Sequence, residues 1–277
     1  MPVVATNTAA NSALRFLNNN SSMASASVGK LASGSRIVKA SDDAAGLAIG
    51  SRLKADVTAL TQAGINASQG ASVVQVADGG LARIGDVLQR MKALAAQSLS
   101  GVPTDTERGF IDAEFQELVS EVTAIADTTR FNGQSLLDGT AASQSYFVGT
   151  DVSDTIDVDF GGLAAGSAAF DAVSLGVNLS VGTAGAATAA MSAVDTAIDS
   201  ISEARATAGA LISRFEFRGQ QIATSLENID AAKSAIMDVD LAAEQSKLVS
   251  NQVLVQAAVS AVSQANQIPQ SLLRVLQ

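Results

Sequence analysis

The chain runs to 277 residues with a formal net charge of −10; 47% of it is hydrophobic, 16% charged and 4% aromatic, and it contains neither cysteine nor histidine. The acidic balance excludes a phosphate-backbone ligand, which needs a basic footprint. The missing side chains remove disulfides, nearly all zinc sites, thiol nucleophiles and histidine-dependent catalysis.

Charged residues fall below the roughly 25% usual in soluble domains, and much of the apolar share is alanine. Close helix-to-helix packing is therefore favoured over a thick core, within a length that allows about two domains. No apolar run approaches the 18 or so residues of a membrane span, and MPVVATNTAANSALRF lacks a basic segment followed by an apolar one. The expectation is a chain that neither inserts into a membrane nor leaves by the general secretory route.

From the N-terminus, residues 1 to 40 carry few charges, chiefly Arg15, Lys30, Arg36 and Lys39, and a sparse apolar stripe of Leu14, Leu17 and Met23. Fixing a backbone costs roughly 1–2 kcal/mol per residue, so such a segment needs a partner to stay helical. In SDDAAG, the adjacent Asp42 and Asp43 read as a polar turn or helix start rather than as a catalytic carboxylate pair.

Leu53, Leu60, Ala67, Val74, Leu81, Leu88 and Ala95 then recur every seven residues, with Val57, Ile84 and Met91 at intermediate positions. This is a coiled-coil seam. After Pro103, Thr104 and Glu107 form a capping box for a second helix whose apolar positions are Ile111, Phe115, Leu118, Val122 and Ile125. It is expected to fold back on the first.

RFNGQSLLDG places Asn-Gly and Asp-Gly around short apolar pieces, a strong hairpin signal, and SYFVG and TIDVDF read as strands. The stretch from 161 to 190, rich in Gly, Ala and Ser, reads as a small, loosely structured surface excursion. A second seam follows through Val194, Ile198, Ile201, Ala208, Ile212, Phe215, Ile222, Leu226, Ile229 and Ile236. The tail repeats the design of the N-terminal end, with Leu248, Val255, Val259, Val262, Ile268, Leu272 and Leu276 in a stripe and only Lys247 and Arg274 charged. The predicted architecture is mainly α: a long antiparallel coiled-coil bundle built from both chain ends, with a β-hairpin and a small β-containing central region.

Four segments, KLASGSRIVKASDDAAGLAIGSRL, LQRMKALAAQS, RFNG and QANQIPQSLLRVL, occur in the order and at the spacing of bacterial flagellin, and the chain resembles that family over about 1–140 and 190–277. The resemblance implies a structural subunit, without catalysis or cofactor, that polymerises with itself into the extracellular flagellar filament for swimming. It further implies export in an unfolded state through the flagellar type III apparatus, with an export chaperone, the filament cap and hook-junction proteins as partners.

The implied organisation is 1–40 plus 240–277 as the inner filament core, 41–140 plus 190–239 as a coiled-coil spoke with the hairpin, and 141–189 as a short variable outer region. Leu14, Leu17, Val255, Val262, Ile268, Leu272 and Leu276 become the polymerisation ends. Leu53, Leu60, Val74, Leu81, Leu88, Ile201, Phe215, Ile222, Ile229 and Ile236 become the spoke core. By motif alignment, Arg90, Leu94 and Glu114 fall where flagellins are read by a host Toll-like receptor, on a face that neighbouring subunits would also contact; the bland alternative is a packed leucine beside a solvated ion pair. Competing readings are a hook-filament junction protein and, from another class, a coiled-coil signalling module.

Overall fold

The computed structural model describes residues 7–141, 143–160 and 169–275, with side chains as far as Gln267. It contains five helices, α1 (Thr8–Ser33), α2 (Ala44–Leu99), α3 (Asp105–Thr128), α4 (Ala184–Met237) and α5 (Leu241–Val275). Four short strands, β1 (Arg130–Phe131), β2 (Gln134–Ser135), β3 (Gln144–Phe147) and β4 (Thr155–Val158), lie between α3 and α4. Two compact units result, a terminal one of Met1–Val57 with Asn228–Gln277 and a central one of Thr58–Glu227. The division falls at 57/58 and 227/228.

In the terminal unit α1 packs along α5. Asn7 starts α1 by accepting the Ala10 amide at 3.0 Å, and Gly34, at φ 68°, ends it in the left-handed conformation that a side chain would disfavour. A short antiparallel bridge then ties the two chain ends: the Arg36 amide donates to the Met237 carbonyl at 2.6 Å and the Val239 amide to the Gly34 carbonyl at 3.1 Å. The SDDAAG motif is a turn that leads into the start of α2 at Ala44. Asp42 accepts the Val38 and Lys39 amides at 3.1 and 3.0 Å, which holds its carboxyl below the usual range, and Asp43 accepts the Gly46 amide at 2.9 Å.

The central unit is a helical core with two hairpins. Leu60, Val74, Leu81, Ile84, Leu88 and Met91 of α2 are buried, as are Ile111, Phe115 and Val122 of α3 and Val194, Ile201, Phe215 and Ile222 of α4. Alanines 63, 67, 77, 190, 197, 204 and 208 are buried among them, so the packing is close where side chains are small. Gly70 shows how close: a Cβ there would meet the Phe215 ring at 2.6 Å. That ring also receives Tyr146 edge-on, at 5.5 Å between centroids. The predicted capping box is complete, with Thr104 and Glu107 each accepting the other's backbone amide.

β1 and β2 pair antiparallel around Asn132 and Gly133, whose φ values of 49° and 81° are what a two-residue primed turn requires. β3 and β4 pair from Gln144↔Val158 to Phe147↔Thr155.

Two sequence expectations are corrected here. The described residues from 169 to 183 are not a loose excursion: they lie against the helices with Phe170, Ala172, Leu175, Val177 and Val181 buried. Their backbone is held by side chains. Asp112 accepts the Val181 amide at 2.7 Å, the Ser98 hydroxyl donates to the Val181 carbonyl at 2.5 Å, and the Gln116 amide group donates to the Leu179 carbonyl at 2.8 Å. Residues 161–168 lie outside the described residues. Residues from Ala184 onward already belong to α4, because alanine favours helix and Thr183 caps the turn by accepting the Ala186 amide at 3.2 Å.

Candidate interaction surfaces

The first candidate surface is the terminal helix pair. Along α1, Leu14, Phe16, Met23 and Val28 are exposed, Phe16 to 65%; along α5, Leu241, Val249, Val253, Leu254 and Val259 are exposed. A two-helix layer has one inner face, so much of its apolar surface finds no cover within the unit. Of the sequence-assigned polymerisation residues, Leu14 is exposed and Leu17, Val255 and Val262 are half-buried. The side chains of Ile268 and Leu272, and Leu276 altogether, lie outside the described residues. The sequence reading did not single out Phe16, Val249, Val253 and Leu254, which flank the stripe rather than sit on it.

What the two helices share is polar as well as apolar. The Asn7 side chain donates to the Ala265 carbonyl at 2.8 Å. The Ser27 hydroxyl, itself buried, donates at 2.7 Å to a Glu244 carboxylate that is only 6% exposed, and Lys247 approaches the other carboxylate oxygen at 3.3 Å. The serine bond, followed by Lys247, lowers the Glu244 pKa against the opposing effect of burial.

The second candidate surface lies on α2 and α3 of the central unit. Arg90 forks onto Glu114, Nε and Nη2 donating to one carboxylate oxygen at 3.0 and 2.5 Å, and both side chains are exposed. Leu94 does not share that surface: at 2% exposure it fills the core beside Met91 and Ala95. Lys92 pairs across to Asp195 at 2.6 Å, and Arg205 to Asp78 at 2.9 Å. Of the assigned seam residues, Leu60, Val74, Leu81, Leu88, Ile201, Phe215 and Ile222 are buried, while Leu53, Ile229 and Ile236, all in the thinner terminal unit, are half-buried. Among the described residues no helix is long and apolar enough to cross a membrane, and no three acidic groups gather as a metal-binding set.

Paired end helices with uncovered apolar faces in one unit, and a helical core crossed by surface ion pairs in the other, define a helical structural protein. The chain belongs to the bacterial flagellin family: residues 4–142 match its N-terminal helical region and residues 191–276 its C-terminal helical region. A flagellin of Halalkalibacterium halodurans is 35% identical over 252 residues, covering 89% of each chain. The flagellar filament 33 kDa core protein of Treponema phagedenis is 33% identical over 274 residues, covering 95% of this chain and 96% of its own. Among solved structures, Bacillus cereus flagellin is 28% identical and covers 61% of this chain and 94% of its own, with a TM-score of 0.50. The predicted mainly α architecture stands, with five helices and two small hairpins among the described residues.

Proposed function

We propose that this chain is the repeating subunit of an extracellular flagellar filament that serves swimming, and that it assembles through its terminal helix pair. The observation that carries the reading is the pair of uncovered apolar faces on α1 and α5 in a chain whose two end regions match the flagellin family. Heterologous contacts that do not close generate open helical polymers, and helices with apolar faces on both sides suit that geometry. Export through the flagellar type III apparatus, with an export chaperone, a filament cap and hook-junction proteins as partners, follows from the same family reading. So does the absence of catalysis. The exposed Arg90–Glu114 pair is the part of the motif available to a host Toll-like receptor; Leu94 contributes by holding α2 in place beneath it.

The test is assembly of the purified full chain, followed by sedimentation and electron microscopy, against a Phe16→Asp/Leu254→Asp variant. Long filaments are expected from the wild type and none from the variant, whose helix content in the central unit is unchanged. A wild type that stays monomeric or forms only short rings at high concentration removes the filament reading, and filaments from the variant remove the terminal faces as the assembly surface.

A further inference from the structure

The central unit carries two stripes of opposite charge on different helices, exposed except at the half-buried Arg218. On α3, Glu117 and Glu121 are exposed and, among the described residues, have no ion-pair partner. With Ser120 and Ala124, also exposed, they outline a diamond at positions i, i+3, i+4 and i+7, the arrangement into which a side chain from a facing helix inserts as a knob. On α4, Phe217 is 71% exposed, three residues after Arg214 and one before Arg218, on the turn that the two arginines share. Arg214 has no partner among the described residues; Arg218 reaches Gln221 at 3.2 Å and Asp154 only at 3.9 Å. The two arginines, Phe217 and Ile156 line a groove of about 560 Å³.

The stripes match in spacing. Glu117 and Glu121 are four residues apart on one helix, and Arg214 and Arg218 are four apart on the other. At a rise of about 1.5 Å per residue, each charged pair spans about 6 Å. Two charge-assisted contacts can therefore form together with an aromatic side chain seated between them. Within one copy the stripes make no ion pair with each other. Across two copies they are complementary, and the contact is heterologous, α3 of one subunit against α4 of the next.

We propose that α3 of one copy docks on the α4 groove of the next, with Phe217 inserted among Glu117, Ser120, Glu121 and Ala124, and the glutamates paired to Arg214 and Arg218. This rests on the polymer reading above and adds to it a second contact surface, in the central unit, with its own charge code.

The experiment is a charge swap in the full-length chain. Glu117→Arg/Glu121→Arg and Arg214→Glu/Arg218→Glu are each expected to raise the critical concentration for assembly about tenfold or more, since each sets like charges against one another at a contact. The chain carrying all four changes is expected to return close to the wild-type value, and Phe217→Ser to assemble poorly. Circular dichroism and melting of each monomer establish that the helices are intact, and Phe217→Ser, altering one exposed side chain, keeps the question decidable if a swap unfolds. Wild-type critical concentrations in the single swaps or in Phe217→Ser overturn the proposal, as does a fourfold variant no better than its parents. These failures occur in a wild-type background that polymerises; a wild type that does not polymerise removes the filament reading itself.

Discussion

Replacing Ser27 by alanine removes the best-placed hydrogen-bond donor to a carboxylate that the protein has almost wholly taken out of water. The Ser27–Glu244 contact is 2.7 Å long, and the remaining donor, Lys247, sits farther away at 3.3 Å on a largely solvated side chain. A hydrogen bond to a charged group contributes about 1.5–3 kcal/mol, and stranding the buried acceptor costs a similar amount. The expected loss in the α1–α5 pair is therefore about 2 kcal/mol, or roughly a thirtyfold rise in the opening constant.

Glu244→Leu removes the charge together with its need for a donor and is expected to cost less than Ser27→Ala. The Glu244 carboxyl lies below its ordinary value of 4.5, chiefly through the Ser27 bond and then Lys247. A lowered carboxyl contributes stability that is present above pH 4.5 and is lost as pH falls through the lowered value. Glu244→Gln should flatten that acid dependence. Hydrogen exchange of α1 and α5 amides in the full chain, measured from neutral pH down through this range, is the assay. Exchange in Ser27→Ala that equals wild type at neutral pH would refute the reasoning.

Gly70→Ala forces a Cβ onto the buried Phe215 ring, and a loss of about 1–3 kcal/mol by thermal melting is expected. Arg90→Ala with Glu114→Ala should leave melting within about 1 kcal/mol of wild type, because exposed pairs contribute little; in a receptor reporter assay the same variant should signal far less. Leu94→Ala, by contrast, should cost about 2–5 kcal/mol as a core truncation, so its effect on signalling should track unfolding. Asp112→Ala leaves the Val181 amide without its acceptor, and faster proteolysis between 169 and 183 together with a loss of about 1–3 kcal/mol is expected.

The helices were legible because their signals are local and periodic. Leu81, Leu88 and Phe215 stand on repeats that physics allows only on a buried helix face, and Thr104–Glu107 and Asn132–Gly133 announce a helix start and a turn within a few residues. The 169–183 segment carries no period. What fixes it is a set of donors and acceptors about 60 to 80 residues away in sequence, on Ser98, Asp112 and Gln116, and no window along the chain contains both partners. Leu94 shows the same limit at a single residue. Its neighbours in a motif suggested a surface, but whether a helix position one step from the seam is covered depends on which second and third helices arrive. The buried Glu244 was likewise hidden, since a glutamate near a helix start reads as solvated until its serine is found 217 positions away.

The bond between Asn7 and Ala265 joins residues 258 positions apart. A contact of that span must close a loop of more than two hundred residues, whereas α2 and α3 are neighbours in sequence and can meet across a short connection. The order of events is thereby written into the topology: the central unit can begin to condense early, and the terminal pair closes last. A chain cut short anywhere before α5 leaves α1 with no partner and its apolar stripe in water.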